Sequence, residues 1–404
     1  MTAAIPRGGA ALEVSVVLPC LNEADTLASC IRKAQAGLER AGVTGEVIVA
    51  DNGSTDGSVD IARGLGAVVV AVPDRGYGNA LMKGIAESRG RFVVMGDADD
   101  SYDFGEIPRF VEKLREGHEL VQGCRLPSGG GIVSPGAMPF WHRWLGNPLL
   151  SLIARAWFPT KINDVYCGMR AFTRELYERL DLRCTGMEYA TEMIIKASFA
   201  GARTVEIPIT LHPDGRRAHP GHLRTVRDGW RTLRLFLLYS PTWLFLVPGG
   251  LLVGLGLAGY ALAMPGTVIG GARLDAHTLM VASLAAICGY QSALFAVFTR
   301  TFAVAEGLLP GDRKMGLFLS TFNLERGLVG GVAGLAFGLL LIAYAAYDWR
   351  ATGFGPLDYG YTMRWVIPGV TLAVIGFQTV LASFFLSVLG MRRLGRPVVE
   401  RGRR

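Results

Sequence analysis

Four carboxylates crowd into Asp97-Ala98-Asp99-Asp100-Ser101-Tyr102-Asp103, directly after Phe92 to Met95, an apolar run that suits a buried strand. Alternate residues of an extended chain point the same way, so Asp97 and Asp99 can aim two carboxylates at one point. A hard divalent cation that takes oxygen ligands and leaves positions open for phosphate fits that pair. The plainer alternative is an acidic turn whose side chains cap the next helix, and Asp-x-Asp alone does not choose between them. Two further polar clusters each follow a short apolar run. Asn22 and Glu23 follow Val14 to Leu18, and Asp51 and Asn52 follow Glu46 to Ala50. Asp51, Asn52 and Asp56 in DNGSTDG also suit a turn that caps a helix. Gly76 and Gly78 allow either a tight turn or a close approach of backbone to a phosphate.

The elements around these clusters alternate. Strands are expected at 14–18, 46–50, 67–72, 92–95 and 120–123, with helices to about Ala41, over 58–65, after the Gly76 turn and over 106–116. Short connections between strand and helix predict an α/β domain with a doubly wound, mostly parallel sheet. Ligands of such sheets bind beyond the carboxyl ends of the strands, where all three polar clusters fall. Pro127 to Gly136 is rich in Gly, Pro and Ser and reads as a lid or acceptor loop. Phe140 to Phe158 carries three tryptophans with Arg143 and Arg155, and is expected to lie on a membrane surface. Glu188 and Glu192 fall one turn apart on a helix, and 204–210 reads as another strand.

The 404 residues are 50% hydrophobic with a mean hydropathy of +0.32, and the apolar surplus lies after Pro241. Four spans, near 243–264, 278–298, 328–347 and 365–389, are long enough to cross about 30 Å of hydrocarbon and hold no charged residue. Before them, Arg224, Arg227, Arg231 and Arg234 share one face of a helix over 222–239. Leu223, Val226, Trp230, Leu233 and Leu237 fall largely on the other, as in a helix lying on an anionic leaflet. Arginines crowd before the first span, between the second and third, and after the fourth. The positive-inside rule therefore puts both termini and the first ~240 residues in the cytoplasm. The start of the chain has no apolar signal segment. The formal charge of +7 is thus membrane topology, not nucleic-acid binding. Six scattered cysteines without a C-x-x-C pair fit free thiols in a reducing compartment. The expected divisions are a tail (1–13), the α/β domain (14–220), an interfacial helix (221–240), a four-helix membrane domain (241–392) and a basic tail (393–404).

As an ordered set, VSVVLPCLNE, VIVADNGSTDG, RGYGNAL, DADD, GCR and DVYCGMRAF resemble the polyprenyl-phosphate glycosyltransferases, meaning dolichyl-phosphate mannose or glucose synthases and bacterial undecaprenyl-phosphate relatives. These belong to the inverting glycosyltransferases of the GT-A fold. The resemblance covers about residues 14–240, and the four spans in general plan. It implies hexose transfer from a nucleotide sugar, UDP-glucose or GDP-mannose, to the phosphate of a polyprenyl lipid at the bacterial inner membrane. Mg²⁺ or Mn²⁺ would sit on Asp97 and Asp99. Pro19, Leu21, Asn22, Glu23, Asp51, Asn52, Gly78 and Ala98 would line the nucleotide pocket. Arg125, Arg143 and Asn147 would meet the acceptor phosphate, with Arg125 counted as catalytic beside the aspartates. Asp164, Gly168, Arg170, Glu192 and Arg224 are further substrate contacts on this reading. Three positions depart from the family pattern. Asn52 replaces an aspartate, Ser101 stands where a metal-side glutamine is common, and Cys167 stands where a Ser-Gly pair is common.

Two other classes compete. A processive polysaccharide synthase shares the sheet and aspartates but carries a Q-x-x-R-W motif that is absent here. A non-catalytic scaffold, or a helper in lipid-sugar translocation, would not need the intact aspartate pair. A homo-oligomer is left open.

Overall fold

The computed structural model describes residues 12–217, 224–311 and 324–390. The first eleven residues, His219, His222, Leu223, Arg313, Lys314 and the arginines after the fourth span lie outside the described residues. The chain divides into two compact units, Met1–Phe236 and Leu237–Arg404.

In the first unit, β1 (Val14–Cys20), β2 (Gly45–Asp51), β3 (Val68–Ala71) and β4 (Phe92–Met95) are parallel neighbours in the order β3-β2-β1-β4. β5 (Leu120–Cys124) and β8 (Thr204–Pro208) form a second parallel pair. Between the two sets runs β7 (Arg170–Thr173), antiparallel to both β4 and β5. The sheet is therefore mixed at one strand. The sequence MRAFT is too short to announce that strand, which is recognisable only by the ladder it completes.

Side-chain alternation on β1 builds the two faces. Val14, Val16 and Leu18 enter the core with Leu27, Cys30, Ile31, Ala34 and Leu38 of α1 (Leu27–Arg40), a spacing that fills one helical face. Phe110, Val111 and Leu114 of α4 (Ile107–Arg115) complete that layer. Val17 points the other way, toward α3 (Tyr77–Glu87), which lies close because a Cβ on Gly84 would come within 2.7 Å of the valine's Cγ1. Strands buried on both faces explain the wholly apolar β4 and the apolar β1, interrupted only at Ser15. Truncating a core leucine to alanine there costs about 2–5 kcal/mol.

The remaining described α-helices of this unit are α2 (Ser58–Gly64), α5 (Asn147–Trp157), α6 (Arg174–Leu180) and α7 (Tyr189–Phe199), followed by α8 (Thr225–Tyr239), within which the first unit ends. Ile132–Val133 (β6) pairs with Thr210–Leu211 (β9), so the expected free loop at 127–136 is tethered at its middle. Before α5, residues His142–Gly146 make a π-turn that displays Trp141, Trp144 and Leu145 outward, all more than half exposed. The buried face of α8 is Thr232, Leu235 and Phe236, with the Phe236 ring against Trp157 and Phe158. The helical pattern alone favours a different stripe, and Val226 and Trp230 of that stripe are exposed.

In the second unit, four helices are long and apolar enough to cross a membrane. They span Thr242–Ala263, Ala276–Ala305, Leu324–Ala351 and Tyr359–Gly390. The last three run past the expected apolar spans because the helix continues into their flanking residues. Small residues let the helices close on one another. A Cβ on Gly289 would meet the carbonyl of Gly249 at 2.6 Å, and one on Gly369 would meet that of Gly338 at 2.9 Å. Hydroxyl and amide pairs join the same helices. Thr371 meets Tyr260 and Ser283, each at 2.6 Å, and Gln378 donates to Gln291 at 2.6 Å.

Candidate active site

Because β1 lies between β2 and β4 and all three run parallel, their carboxyl ends share one rim, with Cys20 beside Asp51. Hydrogen bonds lace the three loops that follow. Asp51 accepts from the N–H groups of Gly53 (3.2 Å) and Ser54 (3.1 Å), closing the turn. Asn22 accepts from Thr55 N–H at 2.8 Å, and Glu23 N–H donates to Ser58 at 2.9 Å. Asp56 accepts from Ala24 N–H at 2.9 Å. Thr26 Oγ1 donates to the carbonyl of Ala98 at 2.7 Å, fastening α1 to the aspartate loop. Asn22 and Asp100 hold φ of 59° and 62°, a region that asparagine and aspartate enter more readily than other side chains. Asp100 is pinned there by Lys33 (2.8 Å) and Ser29 (3.0 Å).

Asn52 is the knot between this rim and the glycine turn. Its Nδ2 donates to the carbonyl of Asp74 at 2.9 Å, and its Oδ1 accepts from Gly76 N–H at 2.7 Å. A second aspartate at this position could only accept, so the asparagine that departs from the family pattern has a structural use. Gly76 has φ 144°, and side chains at Gly76 or Gly78 would strike the 184–185 backbone. The N–H of Gly78 is taken by the carbonyl of Thr185 at 2.9 Å, so the turn is capped from within and does not offer that donor to a phosphate.

The two aspartates stand in different settings. Asp97 accepts from the Tyr77 hydroxyl at 2.9 Å, and Gly168 lies so close that a Cβ there would be 2.7 Å from its Oδ2. Burial, then the neighbouring charge of Asp99, push the Asp97 carboxyl up to about 6, against the opposing pull of Tyr77, Arg216 and Arg125. Asp99 accepts from Ser101 through both N–H (3.1 Å) and Oγ (2.6 Å), while its other oxygen faces Arg216 Nη1 at 3.1 Å. Ser101 thus orients Asp99 and is not itself aimed as a further ligand. Among the described residues no cluster of three or more His, Cys, Asp or Glu side chains could hold a metal. Two hard oxygen donors still fit Mg²⁺ or Mn²⁺, with the remaining positions left to phosphate and water.

The positions expected to meet an acceptor separate into two groups. Arg125 is nearly buried, and it is not a free cation. Its Nε and Nη2 donate to Asp164 at 2.8 and 2.9 Å, its N–H donates to the same carboxylate at 3.0 Å, and Nη1 reaches the Tyr102 hydroxyl at 3.4 Å. Tyr102 in turn accepts from Gly168 N–H at 2.9 Å. Arg170 is wholly buried, donating to the carbonyls of Ala190 and Cys167. Glu192 is likewise buried, accepting from the N–H groups of Arg183 (3.0 Å) and Cys184 (2.8 Å) and facing Lys196. The side chains of Asp164, Arg170 and Glu192 are thus engaged in holding loops in place. Arg143, by contrast, is half-buried on the π-turn with its guanidinium 5.2 Å from the Trp144 ring centroid and its Nε inaccessible and unpartnered. Asn147 donates to Met138 Sδ at 3.4 Å, and exposed Arg224 gives its N–H to Asp228 at the start of α8. Pro19 and Leu21 are partly exposed at the rim, and Ala98 is buried between the aspartates.

Two residues of the site escape sequence reasoning. Tyr77 has a faint signal, an aromatic between two glycines. Arg216 has none, because its partner Glu23 is 193 residues away.

The sheet, the rim and the apolar helices together define a membrane-anchored sugar transferase of the GT-A fold. The chain belongs to glycosyltransferase family 2. Residues 15–181 match the family's transferase domain, and residues 297–390 match the family 2 C-terminal transmembrane region. It is 37% identical over 384 residues to the low-salt glycan biosynthesis hexosyltransferase Agl6 of Haloferax volcanii, covering 93% of this chain and 89% of that one. It is 29% identical over 264 residues to the undecaprenyl-phosphate 4-deoxy-4-formamido-L-arabinose transferase of Pseudomonas paraeruginosa, covering 62% of this chain and 72% of that one. Among solved structures it is similar to glucosyl-3-phosphoglycerate synthase of Mycobacterium tuberculosis, with TM-score 0.44 and 24% identity over 58% of this chain and 85% of that one.

Proposed function

We propose that this protein transfers a hexose from a nucleotide diphosphosugar, UDP-glucose or GDP-mannose, to the phosphate of a polyprenyl phosphate. The observation that carries this reading is the Asp97–Asp99 pair at the sheet rim of a chain that continues into four apolar helices. The name of the Pseudomonas relative, an undecaprenyl-phosphate sugar transferase, supports the acceptor class.

On this reading the nucleotide lies along the rim over Pro19, Leu21, Asn22, Asp51, Asn52 and Ala98. Asp97 and Asp99 hold the divalent cation, which when bound neutralises charge building on the departing diphosphate, an effect worth several kcal/mol. Tyr77 and Ser101 fix the rotamers of the two aspartates, so that little reorganisation remains for the reacting state. The nucleophile is an acceptor phosphate oxygen, already anionic near neutral pH, and no side-chain base is needed. It forms a bond to the sugar's C1 as the bond from C1 to the diphosphate oxygen breaks. The nucleoside diphosphate leaves with the electron pair, and the anomeric centre inverts.

Arg143, which makes no ion pair among the described residues and sits on the π-turn, is better suited to orient that phosphate than Arg125, whose charge is taken up by Asp164. Exposed Phe140, Trp141, Trp144, Leu145, Leu149 and Leu152 beside Arg143 and Arg155 suit burial in an anionic leaflet, where an isoprenoid's head group lies. Catalysis at the cytoplasmic face follows from the positive-inside bias.

The test incubates detergent-purified protein, Mn²⁺ and undecaprenyl phosphate with UDP-glucose or GDP-mannose. One hexose per lipid is expected. Chain growth would favour a polymer synthase, and no lipid-linked product from a panel of sugar nucleotides would overturn the reading.

A further inference from the structure

Arg216 is the most heavily engaged cation at the rim. Its Nε donates to both Glu23 oxygens at 3.0 and 2.9 Å, and its Nη2 donates to Oε1 at 2.6 Å. The remaining tip, Nη1, faces Asp99 at 3.1 Å and Asp214 at 3.6 Å. Only 11% of the side chain is exposed, with Glu23 at 4% and Asp99 at 13%. The backbone carrying it is held separately. Leu211 bridges Tyr102, His212 N–H donates to the Ser101 carbonyl (2.9 Å), and Gly215 N–H donates to the Asp99 carbonyl (2.9 Å).

This geometry divides the guanidinium into an edge held by Glu23 and a tip held by Asp99. The Nε/Nη2 edge is locked on Glu23 in the two-pronged manner that arginine alone provides. The Nη1 tip occupies the Asp99 oxygen that Ser101 leaves unused, which is the one a cation would need. Nη1 makes no bond to Glu23, so loss of its Asp99 partner leaves the Glu23 edge and the backbone bonds at 211–215 in place.

We propose that Arg216 is a built-in counter-ion of the aspartate pair: a divalent cation must displace its Nη1 from Asp99, and the freed tip then takes a diphosphate oxygen of the donor. This rests on the metal and donor roles proposed above and adds a thermodynamic coupling to them. Metal alone forfeits the Arg216–Asp99 pair. Metal with nucleotide gives the guanidinium a new anion. The two ligands must therefore strengthen each other's binding, by equal factors in each direction.

The experiment measures Mn²⁺ binding by electron paramagnetic resonance on the full chain in detergent, without nucleotide and with saturating UDP or GDP. It compares the unaltered protein, Arg216→Gln, Arg216→Lys and an Asp99→Asn control, each checked for folding by thermal unfolding. The unaltered protein is expected to bind Mn²⁺ weakly alone and at least fivefold more tightly with nucleotide. Arg216→Gln, which keeps a donor for Glu23, is expected to bind Mn²⁺ alone roughly fivefold more tightly than the unaltered protein and to lose most of the nucleotide effect. Arg216→Lys retains charge without the fork and is expected to lose the coupling too, which keeps the test open if the glutamine variant fails to fold. Unchanged or weaker Mn²⁺ binding by folded variants, or an intact coupling factor, overturns the counter-ion role alone. Mn²⁺ binding that survives Asp99→Asn, or that is absent throughout, overturns the metal reading beneath it.

Discussion

Asp97 carries an unusual demand for a counter-charge. Its folded carboxyl titrates near 6, above the ordinary 3.8, first because it is buried and then because Asp99 lies beside it. A raised carboxyl binds its proton more tightly in the folded state, so ionisation destabilises the metal-free protein as pH rises through 4 to 6. Asp97→Asn, which imitates the neutral form, is expected to stabilise metal-free protein by about 1–3 kcal/mol at pH 7 and by almost nothing at pH 4. The same variant should abolish transfer. Thermal unfolding at the two pH values, without divalent ions, checks the sign. An advantage equal at both would remove the electrostatic explanation. For Arg143, replacement by alanine should raise the KM for lipid phosphate roughly tenfold or more, the worth of one charged hydrogen bond, and leave nucleotide affinity alone. Titration calorimetry with UDP alongside acceptor kinetics separates the two.

At the scale of elements, the Arg125–Asp164 pair staples the end of β5 to the loop that leads into β7. Removing one partner leaves the other charge buried, so Arg125→Ala is expected to cost about 3–5 kcal/mol of stability. A variant of unchanged stability, selectively impaired in acceptor use, would restore the direct phosphate role. This pair also marks the limit of motif reading. GCR and DVYCGMRAF are visible in the sequence, but which of their charges face each other depends on β7 entering the sheet between β4 and β5. The strands β1, β2 and β4 were legible because apolar runs ending in polar residues need only local physics. The tether of β6 to β9, the buried stripe of α8 and the reach of Arg216 to Glu23 all join distant segments, and no local pattern encodes them.

For the whole molecule, the four apolar helices were readable from hydropathy, because helices facing lipid cannot hide their composition. Their orientation is a proposal with a direct test. A cysteine introduced at Gly270 should react with an impermeant thiol reagent in intact cells, whereas one at Gly307 should react only after permeabilisation; the reverse pattern would invert the topology.

The left-handed backbones of Asn22 and Asp100 stand among the loops that hold Glu23 and Asp99. Each such conformation stores about 1–3 kcal/mol and persists only while its neighbours enforce it. Relaxation of those two hinges would scatter the rim while the sheet beneath stayed whole. Warming should accordingly silence the enzyme several degrees before its core melts, and brief cooling should revive it. Coincident loss of activity and of circular dichroism would mean that rim and core yield as one.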